Sequence, residues 1–386
     1  MIAHILKLIW NQRKHYTGIF IEQILVFIIL TICILSFSEK VRLYFSPGNL
    51  NTENTIIFWL NDANNHSPEE VGEKIQSLVS KMRQKYPSSI ISYGDLAPYL
   101  NGGQFTKRDS VVVDNRKILT KIYMSDKNGL AVYQPQIEEG EWFSGNFPED
   151  GSLPLIVSRQ FLEESGLKHP IGKKIQYGNY TYTVTGVISG IKNNPFTPST
   201  PTIVLPINDK QDASFGGFDV KIVDSDIDTY VQDLYKEFRK EFPDPLDTPT
   251  IDRIEQWKMG EILETIISIS LQAIPTLFLL IFAFIGTFGL FWIYSRKRKS
   301  EYALRMAIGS TRSRMIYLVI MESLFITGLA MLPGLLLFCY ISDFTPGNLF
   351  TMGITVFIML LFALFSAWYP AYTVSKINPA ETLHYE

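Results

Sequence analysis

Three kinds of residue in this sequence could do chemistry: clustered carboxylates, a glycine–lysine loop and a dense basic run. Glu138, Glu139 and Glu141 lie close together, as do Glu163 and Glu164. Paired acids can act as a general acid and base. Both clusters sit on helix or loop signatures without a histidine-activated nucleophile, so they read as solvated faces. The stretch "GLKHPIGKK" (Gly166 to Lys174) imitates a phosphate-binding loop. The true pattern has four residues between its glycines and a Ser or Thr after the lysine. Here the spacing is longer and Lys174 fills the hydroxyl position, so the stretch predicts a turn leading into a strand. The five histidines are scattered, and none stands at metal-ligand spacing from a Cys, Asp or Glu. No catalytic, metal or cofactor-binding set emerges.

The basic run is "RKRKSEYALRMAIGSTRSR", from Arg296 to Arg314, between two long apolar stretches. Its position depends on the elements that flank it. The chain has 386 residues, a formal net charge of -3 and a hydrophobic fraction of 46%. So small a charge argues against a nucleic-acid partner. Apolar residues concentrate at the two ends. Crossing about 30 Å of hydrocarbon takes roughly 20 apolar residues, and four segments meet that length: about 19–37, 266–294, 316–341 and 352–368. The first is longer than the core of a signal peptide. Two cysteines, Cys33 and Cys339, both fall inside apolar stretches, so no disulfide framework holds the middle of the chain.

Short loops set orientation, because Lys and Arg stay on the cytoplasmic side. Lys7, Arg13 and Lys14 precede the first span, the basic run joins the second and third, and "SDFTPGNLF" between the third and fourth has no Lys or Arg. Both termini are therefore expected in the cytoplasm, with residues 41–261 outside. Residues 1–15, with Ile2, Ile5, Leu6 and Ile9 on one face, predict an amphipathic helix lying in the interface. The first membrane helix is assigned to 16–40 and the membrane-bound remainder to 262–386. Glu22, Gln23 and Glu322 are polar residues inside spans, where ionisable groups are costly; pairing with interfacial Lys or Arg is the simplest role. Pro333-Gly334 predicts a kink in the third membrane helix.

In the middle, "NTIIFWL" predicts a strand, and Ser67-Pro68-Glu69-Glu70 a capping box. Val71, Ile75, Leu78, Val79 and Met82 then mark an amphipathic helix and Ile90–Tyr93 a second strand. The pattern returns with a strand over 218–223 and a helix over 226–242, whose apolar stripe is Val231, Leu234, Tyr235, Phe238 and Phe242. Between the copies, about 135–210, lies a strand-rich block with a hairpin at Gly178-Asn179. The expectation is an α+β membrane protein: four transmembrane helices and a large extracytoplasmic α+β domain, a βαβ lobe with an inserted β-rich lobe.

Within the basic run, Gly309 reads as a helix end and Ser310 as the N-cap of the next helix, making an elbow at the membrane surface. "RKRKSEYALRMAIGSTRSRM", with Glu301, Arg305 and Ala307-Ile308-Gly309, resembles the hallmark of FtsX/MacB-type (type VII) ABC transporter permeases. Glu322-Ser323 and the ending "YPAYTVSKINPAETLHYE", with its Asn378-Pro379-Ala380 turn, are similar to that family as well. "PLIVSRQFLEESGLKHPIGKKIQYGNYTYTVTGVI" resembles a MacB-like periplasmic core domain. Tyr302 departs from the small apolar residue more frequent after the glutamate.

The resemblance implies a permease subunit in the bacterial inner membrane, not itself an enzyme. It implies that residues 296–314 are the coupling segment for an ATPase, with Glu301, Arg305, Ile308, Gly309, Arg312 and Arg314 at the contact. The chain opens at its first span without a phosphate loop, so ATP is expected on a separate cytoplasmic ATPase subunit, with no cofactor in this chain. Further expected partners are a second permease copy or paralogue forming a dimer, membrane lipid, and a periplasmic adaptor or outer-membrane protein. Movement of the exterior domain would drive export or extraction of a substrate. The alternative is a non-transporting regulator that signals to an outside partner such as a cell-wall hydrolase.

Overall fold

The computed structural model describes residues 13–61, 64, 66–99, 107–144, 151–207 and 217–377. The proposed interfacial helix of residues 1–15 and the Asn378-Pro379-Ala380 turn fall mainly or wholly outside them. The chain divides into two compact units: residues 1–40 with 266–386, and residues 41–265.

Among the described residues, four helices are long and apolar enough to cross a membrane. They are α1 (Arg13–Phe45), α6 (Ile254–Lys297), α8 (Arg312–Ile341) and α9 (Pro346–Ser375). α6 starts twelve residues before the expected 266, because Ile254 and the residues after it continue the helix without a break. α8 and α9 pack through small residues. Ala363, Ala367 and Ala371 are each 0% exposed, and Ser323 Oγ donates to the Ala363 carbonyl at 3.0 Å. Small side chains let helix backbones approach, which is how helices associate where lipid competes with every apolar contact.

The second unit is α+β. Its first sheet has four antiparallel strands, β1 (Thr55–Asn61), β2 (Ile90–Ser92), β10 (Gly217–Lys221) and β11 (Thr248–Arg253), in the order β11-β1-β10-β2. The helices α2 (Pro68–Lys85) and α5 (Ile227–Glu241) cross over between parallel pairs, but each pair is split by a strand from the other. This is the interleaved βαββαβ arrangement, not two separate βαβ units. Alternation along β1 sends Ile56, Phe58 and Leu60 into the core under the helices. Phe58 stacks on Phe218 at 4.6 Å between ring centroids.

Between β2 and β10 the chain forms a seven-stranded sheet. β3 (Lys107–Val113), β4 (Arg116–Ser125), β9 (Thr202–Pro206), β6 (Leu153–Ser158), β8 (Tyr180–Ile188) and β5 (Ile137–Gly140) lie in that order, with β7 (Lys174–Tyr177) paired to β8. Two short helices, α3 (Gly129–Tyr133) and α4 (Arg159–Ser165), complete it. The inserted block therefore begins at Lys107, not near 135. Asp114 and Asn115 turn β3 into β4 with φ of 45° and 65°, the left-handed pair that tight hairpins need. β4 then joins β9 in parallel.

Three local expectations also change. Ser67 accepts from the Glu70 amide, but the Glu70 carboxylate does not complete the box. It meets Lys74 Nζ at 2.7 Å and His66 Nδ1 at 3.2 Å. In α5 the buried stripe is Tyr230, Leu234 and Phe238, with Phe242 following. Tyr235 is 45% exposed and lies under the Arg239 guanidinium. The hydroxyl and the long arginine offer it a wet position that the core does not. Finally, the N-cap of α8 is Thr311, whose side chain accepts from the Arg314 amide; Ser310 is occupied otherwise, as described next.

Candidate functional site: the elbow between the second and third membrane helices

After α6 a short helix, α7 (Lys299–Ala307), runs to a defined stop. Gly309 has φ +106°, its amide donates to Met306 and the Ser310 amide donates to Arg305, both at 3.0 Å. These two bonds satisfy carbonyls left open at the helix end, and they require a residue that tolerates a left-handed backbone. They also use Ser310 to finish α7, so capping of α8 passes to Thr311.

The inner face of α7 is fixed by packing and charge. Tyr302 and Ala303 are buried, and Tyr302 belongs to a cluster with Met315, Val319, Ala371 and Val374. Arg298, just before α7, is 7% exposed. Its Nη1 lies 3.1 Å from each oxygen of Glu322. Its Nε and Nη2 donate to the two oxygens of Glu301 at 2.9 and 3.3 Å. Arg305 Nη2 adds a third donor to Glu301 at 2.7 Å. The guanidinium also stands 5.0 Å from the Tyr302 ring centroid. A planar fork that serves two carboxylates and an aromatic face is work for arginine specifically. Partial burial pushes the Glu301 carboxyl upward; the hydrogen bond from Arg298, and then Arg305, more than offset this and hold it below the usual carboxylate range.

The outer face differs. Leu304 is 52% and Ile308 78% exposed, and Ala307, Gly309, Arg312 and Arg314 are exposed beside them. Among the described residues no carboxylate pairs with Arg312 or Arg314. An apolar tip flanked by unpaired arginines suits a cleft with apolar walls and acidic rims.

The residues singled out in sequence thus separate into groups. Glu301, Arg305 and Glu322 come together around Arg298, as an internal brace. Ile308, Gly309, Arg312 and Arg314 stay outward. Arg298 and Tyr302 were missed as site residues; the three- and four-residue spacings of Arg298, Glu301 and Arg305 signal helical pairing, while Glu322 is too distant in sequence to signal anything. Gln23 is 1% exposed, and among the described residues neither side-chain amide atom has a partner. Glu22 lies against α6 where Gly286 leaves room: a Cβ there would stand 2.9 Å from Glu22 Oε1. α8 continues through Pro333 as one helix. Gly334 serves close packing, since a Cβ there would stand 2.4 Å from Phe27 Cδ1.

Residues 24–235 match the family model of the MacB-like periplasmic core domain, and residues 273–379 that of the FtsX-like permease C-terminal region. Among solved structures, the periplasmic region of MacB from Actinobacillus actinomycetemcomitans aligns at 12% identity and a TM-score of 0.38, over 54% of this chain and 92% of that one. The extracellular domain of the noncanonic ABC-type transporter YknZ from Gram-positive bacteria aligns at 14% identity and a TM-score of 0.38, over 52% of this chain and all of the other. No curated protein matches the chain in sequence. With a periplasmic core domain placed between its first and later spans, followed by the permease C-terminal region, this chain belongs to the FtsX/MacB-type family of ABC transporter permeases, multi-pass proteins of the inner membrane.

Proposed function

We propose that the chain is the permease subunit of a mechanotransmission-type ABC transporter. A separate cytoplasmic ATPase seats the tip of the elbow, and two permeases, identical or paralogous, work as a pair. ATP-driven closure of the ATPases is carried through the elbow to α6 and α8 and moves the extracytoplasmic domain for export or extraction of a substrate. The observation that carries this reading is the two-faced elbow. Its inner face is locked to α8 by Arg298, so a push on its outer face is not absorbed locally. Ile308, Arg312 and Arg314 make the contact; Glu301 and Arg305 act from behind it, as the brace.

Retention of the ATPase tests this. Purified in mild detergent, the wild-type chain is expected to hold an ATPase subunit identifiable by mass spectrometry. Ile308→Glu and Arg312→Glu are expected to lose at least about tenfold of it, since breaking a buried charged contact at an interface costs about 2–5 kcal/mol. Both positions are exposed, so folding is unaffected. Full retention with full stimulated hydrolysis in both variants would place docking elsewhere.

The orientation rests on the Lys and Arg asymmetry and has its own check. In a chain without Cys33 and Cys339, an impermeant maleimide on intact cells should label Asn179→Cys, in the β7–β8 turn, and spare Ser313→Cys, on the elbow. Labelling of Ser313→Cys, or protection of Asn179→Cys, contradicts cytoplasmic termini.

A further inference from the structure

The four-stranded sheet has two unlike faces. The face under α2 and α5 is apolar. The opposite face carries Ile57 and Trp59 of β1, and alternation adds Thr250 and Asp252 of β11 and Asp219 of β10. Ile57 pairs with Asp252 on one flank and with Asp219 on the other. This acidic row is not a solvated surface. Asp219 is 1% exposed and shares its buried site with the Tyr133 hydroxyl. Asp95, in the segment after β2, adds a third carboxylate, held by the Met124 amide at 2.5 Å.

Between this face and the seven-stranded sheet lies a cavity of about 400 Å³, within the roughly 300–1,000 Å³ typical of small-molecule sites. Ile57, Trp59, Met124 and Trp257 contribute its apolar walls, and Asp95 and Asp252 its carboxylates. Lys107 is the one cation among the described lining residues, and its ammonium stands over the Tyr177 ring at 5.9 Å from the centroid. Carboxylates and indole faces both attract positive charge and would repel an anion. A metal ion is not the match, since among the described residues no three His, Cys, Asp or Glu side chains are grouped to hold one.

We propose that this cavity binds a hydrophobic organic cation, an amine or quaternary ammonium, with its charge toward Asp95 and Asp252 and its apolar body against Trp59 and Trp257. The site lies within the α+β domain and does not depend on the coupling role of the elbow.

The test uses the full chain in lipid nanodiscs and benzyltrimethylammonium as probe, with benzyl alcohol as its neutral counterpart, titrated by ligand-observed NMR. The cation is expected to bind saturably and the alcohol at least about tenfold more weakly, because only the cation meets the carboxylates and indole faces with charge. Burial pushes the Asp95 carboxyl up to about 6, against the opposing pull of the Met124 amide. Binding of this permanent cation should therefore strengthen as pH rises through about 6, where Asp95 becomes anionic. Asp95→Asn keeps an oxygen for the Met124 amide and should lose both the affinity and the pH dependence. Should that variant fail to fold, Asp252→Asn tests the affinity alone: it should weaken binding while the pH dependence, which belongs to Asp95, persists. Glu163→Gln, on an exposed position, should bind as wild type. Equal binding of cation and alcohol, or undiminished binding in both aspartate variants, overturns the proposal.

Discussion

Arg298→Ala should destabilise the elbow more than any substitution on its outer face. The change takes the guanidinium away from Glu322, 3% exposed, and removing one partner of such a buried pair costs about 3–5 kcal/mol. It also strips two donors from Glu301, so α7 loses its tie to α8. Thermal unfolding and protease protection of the purified chain would show it. Arg298→Lys should restore little, because an ammonium cannot fork to two carboxylates. Arg298→Met combined with Glu322→Leu should recover most of the loss, since a buried pair replaced by apolar residues is about neutral. A melt unchanged by Arg298→Ala would mean that the pair does not brace the elbow. Acid should act in the same direction. The folded Glu301 carboxyl lies below its unfolded value of about 4.3. Its contribution is therefore complete above that value and is lost as pH falls through the folded pKa.

Phe238→Ala is expected to have a comparable effect on the α+β domain. Phe238 is 0% exposed, with ring centroids 4.9 Å from Phe242 and 5.7 Å from Phe58. Truncating such a ring costs about 3–5 kcal/mol in lost burial and residual cavity, a large part of the about 5–15 kcal/mol that holds a domain folded. Residues 46–258 lie inside the second compact unit and should express as a soluble monomer with a cooperative melt. In that fragment Phe238→Ala should lower the melting temperature strongly. Tyr235→Ala, on the same helix but half-exposed, should shift stability by no more than about 1 kcal/mol. An aggregated product from residues 46–258 would count against independent folding, and equal melts for the two variants against the assigned core.

Local periodicity made much of this readable in the sequence. The four apolar segments, the α+β domain between them, the strand at Thr55, the stripe of α2 and the Gly178-Asn179 hairpin all follow from patterns a few residues long. Errors arose where two patterns compete or where a contact spans a long sequence distance. Tyr235 has the spacing for the α5 core, but Arg239 gives it an exposed alternative. Ser310 is a good cap in isolation, yet it is already committed to ending α7. Asp114-Asn115 carries a turn signal, but the pairing of β4 with β9 that makes it part of the larger sheet has none. The resemblance grouped Ile308 and Arg312, which lie outward, with Glu301 and Arg305, which join Arg298 on the inner face. The inward turn of Arg298 was not legible, because Glu322 lies on another helix and only the folded bundle brings the two together.

The strand order of the smaller sheet bears on how such a chain is assembled from parts. Thr55 opens β1 and Arg253 closes β11, and Arg253 stands directly opposite Ile56. The first and last strands of the domain thus lie one inter-strand gap apart, about 4.7–4.9 Å. The seven-stranded lobe repeats this at the next level: it departs after Ser92, which stands opposite Asp219 near the start of β10. Each piece is a cassette with adjacent ends, nested inside the one before. A host that can spare a gap one strand wide can accept or lose such a cassette without redrawing its own path. The seven-stranded lobe is not loose cargo, however: Ile57 of β1 shares a core with its Tyr123, Ile156 and Val204, so any lobe exchanged for it must bring its own apolar cover for that face.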